Sequence, residues 1–188
     1  KFQGDSIFKL IGSLTGYDDI GYNHSSVLSG DGKTLFFCDE MPDGKLVKVV
    51  DVSDMDAIAV IKMFQSHPGA TAHNPYIVGD KLLIAYYEDG LQVFNIKDPR
   101  NPYLSGYFDT HPQNGSTYSK PGFRGCWGAY TGLPDHIILA SDMQNGLFVL
   151  DGSLVLGTME VEDITKNEMQ VFPNPFSDDL QMQLHLSQ

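Results

Sequence analysis

A short apolar segment ending in Asp or Asn recurs three times in this chain, and no other feature limits its fold so sharply. KLVKVVDVSD begins at Lys45, GLQVFNIKDP at Gly90 and GLFVLD at Gly146. Ahead of each stands a second apolar run: TLFFCDE from Thr34, LLIAYYE from Leu82 and IILASDM from Ile137. Each of these follows a turn signal, GDGK at Gly30, GDK at Gly79 and LPDH at Leu133. Further upstream, His24, His73 and Trp127 precede the three turns at matching distances. A fourth run follows the first two copies, AIAVIKMFQ from Ala57 and PYLSGYFDT from Pro102. The unit is four short strands over roughly 50 residues, without helical periodicity between them. Four-stranded units of that length are the mark of a β-propeller blade, with a solenoid or a sandwich as the alternative.

In this reading the recurrent segment is the third strand of each blade. Val47 and Val49, Leu91 and Val93, and Leu147 and Val149 pack between neighbouring blades, while Asp51, Asn95 and Asp151 open the next turn with a capping side chain. Pro99 and Pro102 suit that turn because they carry no ladder donor. SIFKLIGSLTG reads as the outer strand of a preceding blade, and the third copy loses the pattern after Asp151. Closed propellers use about four to eight blades, and open sheet edges invite aggregation. The prediction is all-β: a partial β-propeller of about three four-stranded antiparallel blades over residues 1–151, a linker over 152–168 and a β-strand tail over 169–188. The remaining blades come from the same longer protein or from another chain, and the last outer strand comes from the N-terminus of the ring.

Charge narrows the partners. With 12 basic and 24 acidic residues the formal charge is −12, which repels nucleic acid and anionic lipid and suits divalent cations. No apolar run reaches the 18 or so residues of a membrane span. KFQGDSIFKL has neither an initiator Met nor an apolar core like that of a signal peptide; secretion stays open, because such a chain can begin partway along a longer protein. Cys38 and Cys126 lie outside any CxxC, so zinc-ribbon and thioredoxin-like readings lack support. Both are expected as small buried residues, and sequence does not decide whether they are bonded.

GYNHSSVLSGDGKTLFFCDE, LVKVVDVSD, HNPYIVGDKLLIAYYEDGLQVFNIKDPRNPYLSGYFDT and GCWGAYTGLPDHIILASDMQNGLFVLD resemble the LVIVD-repeat propellers of bacterial surface proteins, the choice-of-anchor B family. The resemblance spans roughly residues 5 to 151. It implies a secreted or surface-anchored propeller without a settled enzymatic activity. After Asp151, GSLVLGTMEVEDITKNE reads as a linker, with a short strand expected at Ser153 to Leu156. VFPNPFSDDLQMQL then resembles the start of a type IX secretion sorting domain of Bacteroidota. Leu180, Met182, Leu184 and Leu186 alternate with polar residues as in a half-buried strand, and a degenerate last strand of the propeller is the alternative. The resemblance implies export across the outer membrane to the cell surface, with secretion or surface components as partners.

His24 and His73 take equivalent places near the start of the first strand, which lines the channel of a propeller. Two imidazoles suit a metal when acids join them. Asp39 and Glu40 end the second strand of one unit, Glu88 and Asp89 follow that of the next, and Asp142 aligns with Glu40 and Tyr87. The predicted site is a divalent-cation site, calcium included, or a ligand site on the channel face, built from His24, His73, Asp39, Glu40, Glu88, Asp89 and Trp127. In the competing structural reading the histidines hydrogen-bond neighbouring blades; Trp127 at the third position favours this, since indole does not ligate metals. No GxSxG, HExxH, P-loop or GxGxxG occurs, SGDGKT lacks the distal Glu of a calcium loop, and no catalytic residue is assigned. His67, His111 and His136 are expected as solvated loop residues. FDTHPQNGSTYSKPGFRGCWG, a long insertion from Phe108, offers Tyr118, Phe123 and Arg124 as loop contacts. The expected function is a binding or scaffold module for a glycan or protein. The alternatives are a hydrolase or metal-dependent enzyme with its site in the channel, and exported cargo bound to secretion components.

Overall fold

The structure, a computed structural model, describes residues 9–114 and 123–157. It is all-β, with three antiparallel sheets laid down in chain order. Sheet 1 has the order β1 (Tyr22–Leu28), β2 (Thr34–Met41), β3 (Val47–Asp51) and β4 (Ala59–Phe64). Sheet 2 repeats it with β5 (Asn74–Val78), β6 (Lys81–Ala85), β7 (Leu91–Asn95) and β8 (Tyr103–Phe108). Sheet 3 has three strands, β9 (Cys126–Tyr130), β10 (Ile137–Asp142) and β11 (Gly146–Asp151). The recurrent segments are therefore the third strands, β3, β7 and β11.

Pairing register shows how closely the sheets copy one another. Asp51 lies opposite Thr34, Asn95 opposite Lys81, and Asp151 opposite Ile137. The second strands thus align on Thr34, Lys81 and Ile137, one residue earlier in β6 than the run LLIAYYE suggests. On this register Asp142 corresponds to Asp39 and Tyr86, and Glu40 corresponds to Tyr87; the expected match of Asp142 with Glu40 and Tyr87 is corrected. Sheets 1 and 2 also share a bulge. Pairing of the third strand with the fourth shifts between Val49 and Val50 and, at the equivalent point, between Val93 and Phe94. A bulge adds local twist. All three closing turns are alike: Asp51 Oδ1 accepts from Ser53 N at 3.0 Å, Asn95 Oδ1 from Lys97 N at 3.0 Å, and Asp151 Oδ1 from Ser153 N at 2.9 Å. The short side chain stands in for a backbone acceptor.

Alternation along the strands sends one set of side chains to each face. Phe36, Cys38, Val47 and Val49 of sheet 1 meet Leu82, Ile84, Tyr86 and Phe94 of sheet 2 in one buried cluster. Leu83, Ala85, Leu91 and Val93, on the opposite face of sheet 2, meet Cys126, Ile138 and Ala140 of sheet 3 in a second. Sheet 2 is covered on both faces, which explains its nearly unbroken apolar runs. Phe64 packs edge-on against Phe94 across the first interface, and Phe108 lies tilted against Phe148 across the second. Among the described residues nothing covers the face of sheet 3 that points away from sheet 2: Val149 is 68% exposed where the equivalent Val49 is 0%.

Three expectations change. Lys9–Gly16 forms no strand; the segment lies beside the outer part of sheet 1, where a Cβ on Gly12 would meet Met55 O at 2.7 Å. It has found a packing partner but no ladder. The short strand expected at Ser153 to Leu156 is one helical turn, α1 (Ser153–Leu156). Its Val155 and Leu156 pack onto the cluster between sheets 2 and 3, and Gly106 of β8 leaves room for Val155. His111 is buried rather than solvated and faces Asp142, Nδ1 to Oδ2 3.7 Å. Residues 1–8, most of the predicted linker and the whole sorting-like tail lie outside the described residues. Among the described residues no helix is long and apolar enough to cross a membrane.

Candidate functional site

The equivalent positions His24, His73 and Trp127 touch in series. The imidazoles of His24 and His73 stack, with ring centroids 4.4 Å apart and planes 20° from parallel. Trp127 Nε1 donates to His73 Nε2 at 2.7 Å, and His73 Nδ1 lies 2.6 Å from Trp127 O. Because indole N–H only donates and a carbonyl only accepts, these two contacts fix the tautomer of His73. Its proton is on Nδ1 and points at the Trp127 carbonyl, and Nε2 carries the lone pair. Asn74 Nδ2 donates to the same carbonyl at 2.9 Å, and Ser25 Oγ donates to His73 O. Burial pulls the pKa of His73 below its ordinary value, against the opposing pull of the Trp127 carbonyl. The structural reading of the histidines is thus realised at His73, which bonds sheet 2 to sheet 3.

Glu40 completes the cluster. Its Oε2 lies 3.5 Å from His24 Nδ1 and its Oε1 3.7 Å from His73 Nε2. The Tyr87 hydroxyl donates to Glu40 Oε1, and its pKa is pushed upward by burial and then by that carboxylate. Tyr87 has a φ of 47°, a left-handed conformation that costs a non-glycine residue roughly 1–2 kcal/mol. Its backbone holds the turn in place: Tyr87 N donates to Cys126 O at 3.0 Å and Cys126 N to Tyr87 O at 2.8 Å. That bridge runs close to Gly125, whose φ is 95° and where a Cβ would meet Tyr87 O at 2.3 Å; glycine is required there. His24, Glu40 and His73 together place three donor atoms within 4.8 Å of one another.

The other predicted site residues divide. Phe123 packs edge-on against Tyr87 at 5.4 Å, so it joins the cluster. Arg124 Nε lies 3.6 Å from Glu88 Oε1 beside it. Tyr118 lies outside the described residues. Asp39 and Asp89 do not converge on the rim with the others. Asp39 is buried on the fully buried Lys48, Nζ to Oδ2 3.1 Å, and accepts from Tyr17 OH and Gly21 N. Lys48 also reaches Asp19 Oδ2 at 3.1 Å and its main-chain oxygen at 2.7 Å. The hydrogen bond from Leu46 N and the Lys45 and Lys48 ammonium groups hold the Asp19 carboxyl at about 2, overcoming its burial. This is a clasp that ties residues 17–21 to sheet 1. Asp89 accepts from Ser66 Oγ and faces His67 Nδ1 at 2.9 Å, which ties the approach to sheet 2.

Sequence reasoning missed Tyr87, whose role rests on a left-handed turn that no spacing reveals, and the Asp19–Lys48 pair, since a lysine inside a strand reads as solvent-facing. A cleft of about 440 Å³ between Leu14–Asp18 and β4 lies away from the histidines. Cys38 and Cys126 are both buried, as expected, and both are free, which the sequence left open; burial pushes each thiol up to about 12. No protein-family model and no curated protein matches this chain.

Proposed function

We propose that the three sheets are consecutive blades of a β-propeller in a secreted or cell-surface protein, exported by a type IX-like system and acting as a binding or scaffold module. The observation that carries the reading is the bare face of sheet 3. Leu147 and Val149 are exposed there, whereas Val47, Val49, Leu91 and Val93 at the same repeat positions are buried under the next sheet. A further sheet of the same kind is the occupant this face fits. The resemblance to LVIVD-repeat propellers and the VFPNPFSDDLQMQL segment support surface delivery. Contacts with a glycan or protein would fall on the first-strand edge, where Trp127 is 52% exposed beside Phe123 and Arg124.

Two measurements test it. Val149→Arg is expected to lower the Tm sharply when the remaining blades are present, from the same polypeptide or from another chain, and to leave that of the 188 residues alone unchanged; equal, small effects in both would overturn the ring. Binding of the protein to a glycan array or to surface extracts is expected to fall on Trp127→Ala. A second reading, a metal-dependent hydrolase in the channel, draws on the three clustered donors. Turnover of an ester that vanishes in Glu40→Gln would favour it.

A further inference from the structure

We propose that His24, Glu40 and His73 bind one divalent ion of the zinc class at the edge between sheets 1 and 2. Their donor atoms lie within 4.8 Å of one another, and two imidazole nitrogens with one carboxylate form a three-ligand set that leaves a position open for water. The donor chemistry separates ions. Calcium takes six to eight oxygens, so this set does not suit it, whereas imidazole suits zinc, copper, iron and nickel. Supporting hydrogen bonds are already in place. A ligating histidine commonly donates its other ring N–H to a carbonyl, and ligating carboxylates are themselves hydrogen-bonded. His73 Nδ1–H points at Trp127 O at 2.6 Å, and Tyr87 OH donates to Glu40. The paired bonds to Trp127, one accepted at Nε2 and one donated from Nδ1, belong to the neutral form of His73, the form that ligates a metal.

Two adjustments accompany binding. The Nε2 lone pair of His73 accepts from Trp127 Nε1 at 2.7 Å, so the ion replaces that N–H and the half-exposed indole moves off. The stacked ring of His24 must also turn to bring Nδ1 towards the ion; its side chain is 30% exposed and has room to do so. The three ligands belong to sheets 1 and 2 and the supporting carbonyl to sheet 3, so the site needs no further sheet and stands or falls separately from the ring.

Trp127 is the sole tryptophan of the chain and reports the event. The full chain, stripped with EDTA, is titrated with zinc chloride while its fluorescence is followed, and cobalt chloride is followed by visible absorption. The expected result is saturation at one equivalent, with a change in tryptophan emission and no response to calcium chloride. His24→Ala and Glu40→Gln should each weaken binding by at least the roughly 10–100-fold that loss of a mere supporting group costs. His136→Ala, in a distant turn, should leave it unchanged. Thermal melts confirm that each variant is folded, and the two edge variants avoid the more deeply embedded His73. Absence of saturable zinc binding, full affinity in both His24→Ala and Glu40→Gln, or equal loss in His136→Ala would overturn the site.

Discussion

Trp127 Nε1 donates to His73 Nε2, and His73 Nδ1–H returns a bond to the Trp127 carbonyl. Two residues at the same repeat position of adjacent sheets are thereby locked by reciprocal bonds. One imidazole is both donor and acceptor, a role available only to its neutral form.

That lock depends on pH. The folded-state pKa of His73 is lowered by burial, so the folded chain holds fewer protons than the unfolded one below the ordinary histidine value of about 6.5. Its contribution to stability is complete above that pH and is lost as pH falls towards the depressed folded value. His24 and Glu40 face the same ring, and a charge on His24 further opposes protonation of His73. Lowering pH from 7.5 to 5.5 is expected to reduce the Tm and shift tryptophan emission. His73→Gln should flatten the emission change, and an identical shift in that variant would exclude His73 as its source.

Lys48 is expected to be the most sensitive charged residue in the chain. Its ammonium is fully buried against Asp39 and also reaches Asp19. Lys48→Ala strands the buried Asp39 and should cost about 3–5 kcal/mol in urea unfolding. Asp39→Asn combined with Lys48→Met removes both charges and should recover much of the loss. Asp19→Asn should cost less, because that carboxylate retains water.

The thiols should be silent in the folded chain. Cys38 and Cys126 are buried, with pKa values pushed up to about 12, so little thiolate exists near pH 8. Ellman's reagent is expected to titrate neither until urea unfolds the protein, and then both. Fast reaction of one thiol under native conditions would mean that its sheet interface opens easily.

Core truncation should follow the interfaces. Val49→Ala and Val93→Ala each remove packing between sheets and should cost about 1.5–3 kcal/mol, measured by urea titration. Val149→Ala, on the bare face, should be neutral in the same chain.

How much of this was legible follows from the side chains. The short apolar strands between turn signals, the Asp51, Asn95 and Asp151 turns and the coincidence of His24, His73 and Trp127 all read from sequence, because each is a local device repeated three times. The register of β6 did not. LLIAYY is buried on both faces, so no alternation fixes which residue points where, and the polar Lys81 takes the place filled by Thr34 in sheet 1. SIFKLIGSLTG carries strand chemistry, yet its described part lies beside a sheet without pairing, which composition cannot distinguish. Asp39 and Glu40 are neighbours whose side chains go opposite ways, one into the lysine clasp and one to the histidines. Only the fold separates them.

Sheet 2 is gripped on both faces, while each described neighbour is gripped by it on one. Stability in such a row is a sum of internal and neighbour terms, so opening should begin at the flanks and reach the centre last. The amide hydrogens of Leu82, Leu83 and Ile84 should accordingly outlast all others in heavy water, with the β10–β11 hairpin exchanging well before them.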